Sequence, residues 1–238
     1  APAHLEGFGS IEAVARAKGE IVDNLDADGR FYQNMDNPWC RNMAKGFQGQ
    51  IVRFGGEGDV VLRSCEFNGQ GELELDIDPI GPLCLPLPVK AHTTNVLLAI
   101  AVALQHGIQD FEAPLRRACA ASTRFKVYAL GDFEILDDTY NANPASMTAA
   151  LEALMARPGT GARIAVLGDM LELGPDAVSL HEDLGRQVAS LGVDHLLSYG
   201  AHSYDIIRGA RDGGLVKAEA FESHDAIAQK QIAHEIEE

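Results

Sequence analysis

Asp137-Asp138-Thr139-Tyr140-Asn141-Ala142-Asn143-Pro144 sets carboxylates and two amides at the end of a strand that feeds a helix. Upstream, Phe133-Glu134-Ile135-Leu136 reads as a short buried strand. Downstream, Asn143 before Pro144 is a helix start, with an amide at the cap and a proline at the first helical position, where no N–H is needed. Met147, Leu151, Leu154 and Met155 then recur at helical spacing. In a parallel α/β sheet ligands collect outside the carboxyl ends of the strands, so this reading puts Asp138, Asn141 and Asn143 at a ligand edge. On composition alone, the competing reading is a turn held by the local hydrogen bonds that Asn and Asp make.

Outward from this stretch the pattern alternates. A strand over 133–138 and a helix over 144–156 are followed by a strand at Arg163 to Leu167, a helix near 176–191 and a strand at Asp194 to Tyr199. A helical stretch and a strand near Lys217 to Phe221 complete the series. Such alternation predicts a parallel sheet with crossover helices, an α/β, Rossmann-like arrangement. The preceding half differs: a helix, a β-rich segment (Gln50 to Phe54, Asp59 to Ser64, Glu72 to Asp78, Leu83 to Leu87), and a helix from about Thr93 to His106. The polar triplet Ser122-Thr123-Arg124 separates two apolar runs, and the expected domains are 1–121 and 122–238.

The 238 residues, 46% of them hydrophobic, suffice for one large core or two ordinary ones. A formal charge of −16, with 19 Lys and Arg scattered along the chain, supplies no concentrated basic face, which argues against binding nucleic acid or an anionic membrane. Cys40, Cys65, Cys84 and Cys119 show neither CxxC pairing nor metal spacing, the pattern of reduced thiols in a cytoplasmic protein. No stretch approaches the ~18 apolar residues of a membrane span, and the N-terminus carries no charged-then-apolar signal pattern.

The first helix holds an anomaly. Ile11, Val14, Ala15, Ile21 and Val22 define an apolar stripe, and Lys18 falls at its centre, about 20° from Ile11 at 100° per residue. Burial there is expected. A buried ammonium must find a counter-charge, lose its proton or be modified; the alternative is a stem that snorkels its charge to water. His4 and Glu6 precede it by fourteen and twelve residues, by themselves no more than a His and a Glu two apart.

Asp137 to Pro144, with SMTAAL shortly after it, closely resembles a signature of the Mur ligases, in the wording of the branch that adds D-alanyl-D-alanine. Three further blocks resemble the same family in the same order: AHLEGFGS (3–10) with AKGE (17–20), LPLP (85–88) before a helix start containing His and Asn, and LGDMLELG (167–174). The resemblance extends over most of the chain and implies part of a central ATPase domain followed by an incomplete Rossmann-like C-terminal domain. It implies an ATP- and Mg2+-dependent amide ligase, monomeric and cytoplasmic, of peptidoglycan precursor synthesis. In that chemistry a carboxylate of UDP-N-acetylmuramoyl tripeptide is activated as an acyl phosphate, and the amine of D-alanyl-D-alanine displaces phosphate.

The same resemblance implies the site residues. Lys18 matches the lysine that is carbamylated and, with His4 and more weakly Glu6, holds magnesium. Arg124 matches the arginine after the interdomain linker that approaches the nucleotide phosphates, Asp138 the acid that hydrogen-bonds the ribose, and Asn95 one of two asparagines of the nucleotide-binding helix start, the first of which contacts adenine. Asn141 and Asn143 are candidate substrate contacts. Asp169 and His181 are assigned no catalytic role, because His181 shares a helical face with Leu184, Val188 and Leu191.

No Gly-Lys dipeptide occurs, so the phosphate loop GxxxxGK[ST], which the family carries upstream of the AHLE block, is absent from these residues, as expected of an internal fragment. Within the matched blocks the chain departs from the family in two places. Val89-Lys90-Ala91-His92-Thr93-Thr94-Asn95 stands where the family has a Gly and then His-Asn with a second Asn three residues on; only Asn95 is clearly retained, and His92 is a shifted equivalent or an accident. Thr123 replaces the usual glycine before the linker arginine. The competing functional readings are a noncatalytic nucleotide- or sugar-binding module and a Mur-like ligase adding another amino acid. A hydrolase is disfavoured by the absence of GxSxG and HExxH.

Overall fold

The computed structural model describes residues 5–122, 124–223 and 226–237. In chain order the elements are α1 (Leu5–Phe8), α2 (Ile11–Asp23), β1 (Arg30–Asn34), α3 (Cys40–Met43), β2 (Gln50–Phe54), β3 (Val61–Phe67), β4 (Leu73–Asp78) and β5 (Gly81–Leu85). A 3-10 turn (Lys90–His92) leads into α4 (Thr93–Gln105), then α5 (Glu112–Ala121), β6 (Lys126–Leu130), β7 (Phe133–Asp137) and α6 (Pro144–Ala156). The rest is β8 (Ile164–Leu167), α7 (Ala177–Leu191), β9 (His195–Tyr199), α8 (Ser203–Asp212), β10 (Ala218–Phe221) and α9 (Ala226–Glu237). The chain forms two compact units: a first of Ser10–Asp137, and a second that holds the residues from Asp138 onward and also includes residues 5–9.

In the first unit β1 and β2 pair in parallel, from Arg30 opposite Gln50 to Asn34 opposite Phe54. Strands β3, β4 and β5 form an antiparallel meander. On β4 the period-two pattern is plain: Leu73, Leu75 and Ile77 are buried, and Glu74, Asp76 and Asp78 face water. With Val52, Phe54, Leu85 and the face of α4 that carries Val96, Leu97, Ile100 and Ala101, they make one apolar core. Each fully buried Val, Leu, Ile or Phe among them contributes roughly 1.5–3 kcal/mol.

The second unit contains a parallel sheet in the order β10-β9-β8, flanked by helices. The central strand, β9, is buried along His195 to Ser198, as a parallel strand covered on both faces must be. The predicted strand at 133–138 does not join this sheet among the described residues. It is β7, and it pairs antiparallel with β6, Lys126 opposite Asp137 through Leu130 opposite Phe133. The reason is local: Gly131, at φ +58°, opens a two-residue turn that returns the chain directly onto its neighbour, and closing so short a loop costs far less than a crossover. Strands β1 and β6 and helix α5 were not anticipated. The polar triplet at 122–124 begins where α5 ends, with Ser122 as its C-cap.

Helices α7 and α8 meet through a reciprocal pair of glycines. A Cβ built on Gly185 would lie 1.9 Å from the carbonyl oxygen of Ile206, and one on Gly209 would lie 1.9 Å from that of Glu182. The two backbones are thus in direct contact, with Leu184, Val188, Ile206 and Ala210 buried beside them.

Candidate functional site

In the second unit Asp138 follows β7 and is half-buried, while Asn141 is exposed and its Oδ1 accepts from the Ala142 N–H at 2.9 Å. Asn143 is the N-cap of α6, its Oδ1 accepting from the N–H groups of Ala145 and Ser146, both at 3.1 Å. Ser146 Oγ returns the favour to the Asn143 N–H at 3.0 Å, completing a capping box. The helix start expected from Asn143-Pro144 is therefore present, and the amide oxygen of Asn143 is occupied by it.

The LGDMLELG loop leaves the carboxyl end of β8. Asp169 accepts from the N–H groups of Ala201 (2.8 Å) and His202 (3.0 Å), so its carboxylate fills the positive end of α8 and ties this loop to the β9–α8 turn. His181 is fully buried. Its Nε2 accepts from the Met170 N–H at 2.9 Å, and its Nδ1 lies 2.6 Å from the Ala177 carbonyl oxygen; since a backbone N–H only donates, Nε2 is unprotonated and Nδ1 carries the proton. Its ring stacks on His202 at 4.3 Å between centroids, and His202 Nδ1 meets Asp205 at 2.8 Å. Both side chains left without a catalytic role, Asp169 and His181, are committed to holding loops.

Burial, and secondarily the charge of His202, pushes the His181 pKa below its ordinary 6.5 despite the hydrogen bond to Ala177. The native state therefore prefers the neutral ring. Stability from this group is complete above about pH 6.5 and is lost as pH falls through the unfolded value toward the lower folded one. Thermal melts between pH 7.5 and 5 are expected to show a smaller acid-side loss in His181→Gln than in the wild type. Parallel curves would exclude His181 as the source.

In the first unit Ser10 caps α2, its Oγ accepting from the Ala13 N–H at 3.2 Å. Lys18 is exposed, contrary to the burial expected from the stripe. Val14 and Val22 are buried, but Ile21 on the same stripe is 63% exposed. The periodicity gave the direction of the apolar face correctly; the face is only partly covered, and the long lysine stem reaches water over its uncovered part.

The start of α4 gathers three residues. Asn95, exposed, is the third residue of the helix; His92, half-buried, is its N-cap, one turn earlier on the same face. The Phe125 ring stands edge-on to His92, with centroids 6.3 Å apart and planes at 90°. Burial, and then the neighbouring Arg124 charge, lowers the His92 pKa. Sequence reasoning singled out Asn95 and Arg124 but missed Phe125, whose only signal was an aromatic residue after the linker arginine.

His4 lies outside the described residues, and so does the side chain of Glu6. Among the described residues no group of three or more His, Cys, Asp or Glu is placed to hold a metal ion, and all four thiols are free. A cavity of about 540 Å³ on the antiparallel sheet is lined by Glu66, Glu74, Asp76 and Glu112, a lining that repels phosphates. Among the described residues no helix is long and apolar enough to cross a membrane.

Residues 1–103 match the Mur ligase middle domain, and residues 123–238 match the Mur ligase glutamate ligase domain. The chain belongs to the Mur ligase family. Among its relatives, the UDP-N-acetylmuramoyl-tripeptide--D-alanyl-D-alanine ligase of Escherichia coli K12 is 34% identical over 215 residues, 87% of this chain and 47% of that protein. The enzyme of that name from Mycobacterium tuberculosis CDC 1551 is 34% identical over 239 residues, 95% of this chain and 46% of that one. Of solved structures, MurF from Acinetobacter baumannii superposes with a TM-score of 0.86 at 29% identity, covering 100% of this chain and 52% of that one. MurF ligase from Thermotoga maritima in complex with ADP gives 0.80 at 25% identity, covering 99% and 53%. The chain thus spans about half the length of the curated relatives it matches.

Proposed function

We propose that the protein containing this chain is an ATP-dependent ligase that joins D-alanyl-D-alanine to UDP-N-acetylmuramoyl tripeptide in peptidoglycan precursor synthesis. The observation that carries this reading is the ordered series of motif blocks from residues 3–10 to 167–174, with Asp137 to Pro144 among them, in a chain whose relatives bear the name of that activity. Nucleotide binding is supported by the ADP complex of the Thermotoga neighbour.

In this reading the terminal carboxylate of the tripeptide attacks the γ-phosphate of ATP, ADP leaves, and the amine of D-alanyl-D-alanine displaces phosphate from the acyl phosphate to form the amide. Arg124 offsets negative charge on the transferring phosphoryl group, and Asp138 accepts hydrogen bonds from the ribose hydroxyls. Asn95, at the start of α4, belongs to the nucleotide-binding set. Asn141 and the amide nitrogen of Asn143, whose oxygen is used by the cap, contact the substrates. His4, Lys18 as its carbamate, and Glu6 are the residues that would hold magnesium. The ion, when bound, supplies neutralisation of phosphate charge. We further propose a monomeric, cytoplasmic enzyme, with the family's two domains meeting near residues 121 and 122.

The test is ATP-dependent phosphate release by the product of the full reading frame, with the tripeptide nucleotide and D-alanyl-D-alanine omitted in turn. Release that requires both is expected. Folded protein that releases none, or that accepts a different amino acid in place of the dipeptide, would overturn the assignment.

A further inference from the structure

Arg124 is fixed by its neighbours on both sides. Before it, Ser122 Oγ accepts from the Arg124 N–H and donates to the Arg124 carbonyl oxygen, each at 3.2 Å. After it, Phe125 has φ +50°, a left-handed conformation that an aromatic residue adopts rarely and at a cost. Glycine would take this backbone freely. The ring is nevertheless buried, 5% exposed, with its contact to His92 at the start of α4. Directly beyond it the chain enters β6. A side chain that only filled space would not need this backbone; its effect is to turn the chain sharply at the residue next to Arg124 and to hold the turn against α4.

We propose that Phe125 and His92 form a clasp that positions Arg124 beside the start of α4, and that both are positioning residues for the ligase reaction. The inference rests on the reading of Arg124 as a phosphate-binding group. Arg124 adjoins Phe125 in the chain, and its charge acts, after burial, to lower the His92 pKa, as such a clasp would produce.

The test is a double-mutant cycle in the full-length protein, reading kcat and the KM for ATP, with a thermal melt of each variant. Phe125→Gly permits the backbone but removes the ring and is expected to lower kcat/KM for ATP about tenfold or more. Phe125→Tyr, which keeps the ring edge, should retain most activity. In the Arg124→Ala background Phe125→Gly should cost less than about twofold, because its effect passes through the guanidinium. If Arg124→Ala is damaging but the Phe125→Gly loss multiplies in full in the double variant, the clasp is overturned and the phosphate reading stands. If Arg124→Ala leaves turnover and KM unchanged, the phosphate reading fails, and the clasp with it. Should Phe125→Gly not fold, Phe125→Leu, which keeps apolar bulk without the aromatic edge, carries the same cycle.

Discussion

Alanine at Gly209 is expected to unfold the second unit's helical layer well below the wild-type melting temperature. Its Cβ would stand 1.9 Å from the Glu182 carbonyl oxygen, and within 3 Å of two further backbone atoms of that residue. A backbone atom cannot rotate aside as a flexible side chain can, so α7 and α8 must separate. Separation loosens Leu184, Val188, Ile206 and Ala210 together, since all are buried in the same cluster. Overpacking costs roughly 1–3 kcal/mol and at times more, and this site belongs at the upper end. For a unit of about 100 residues that is a fall of about 10 °C or more in the melting midpoint. Gly185→Ala, facing Ile206 from the other helix, should behave alike. Amide hydrogen exchange would localise the loss to α7 and α8, and a midpoint within about 2 °C of wild type would refute the close backbone contact.

Replacing Lys18 by alanine is expected to do the reverse, removing activity and leaving the fold intact. The side chain is exposed on α2, alanine is the better helix former, and surface substitutions of this kind change stability by no more than about 0.5 kcal/mol. If the lysine is carbamylated and helps hold magnesium, its loss removes charge stabilisation from the phosphoryl transfer, an effect of about 10²-fold or more. Amide synthesis by the full-length protein at ordinary bicarbonate should fall to background while the melting curve stays in place. Unchanged turnover would remove Lys18 from the mechanism. A large loss of stability would mean that α2 depends on the lysine stem, and the activity result would then say nothing about chemistry.

Much of this protein could be read along the chain. The cap at Asn143, the proline after it and the helix to Ala156 follow from hydrogen bonds within four residues, so local sequence determined them. The same holds for β2 and for the alternating burial of β4, where a two-residue period assigns each side chain to a face. The order of the motif blocks placed the chain in its family, because residue types at set spacings are a property of sequence alone. The assignment of His181 to packing also came from periodicity, which put it on the face of Leu184 and Val188.

Other features were decided only when distant segments met. Lys18 sits on the apolar stripe of α2, yet helical angle specifies a direction and not whether anything covers it; the tertiary structure leaves Ile21 and Lys18 in water. Phe133 to Asp137 is a strand by composition, but its partner was set by the turn at Gly131 and not by the parallel pattern of the strands that follow. His92 and Phe125 lie 33 positions apart, and no local rule pairs their rings. Along the chain, Gly185 and Gly209 are no more than residues of low helix propensity. Their purpose becomes visible only where α7 and α8 cross, because the missing Cβ matters only against the backbone it lets approach. Sequence by itself thus determined local conformation, the facing of side chains and the family; tertiary structure decided coverage, strand partners and close contacts, which are relations between segments that no short stretch encodes.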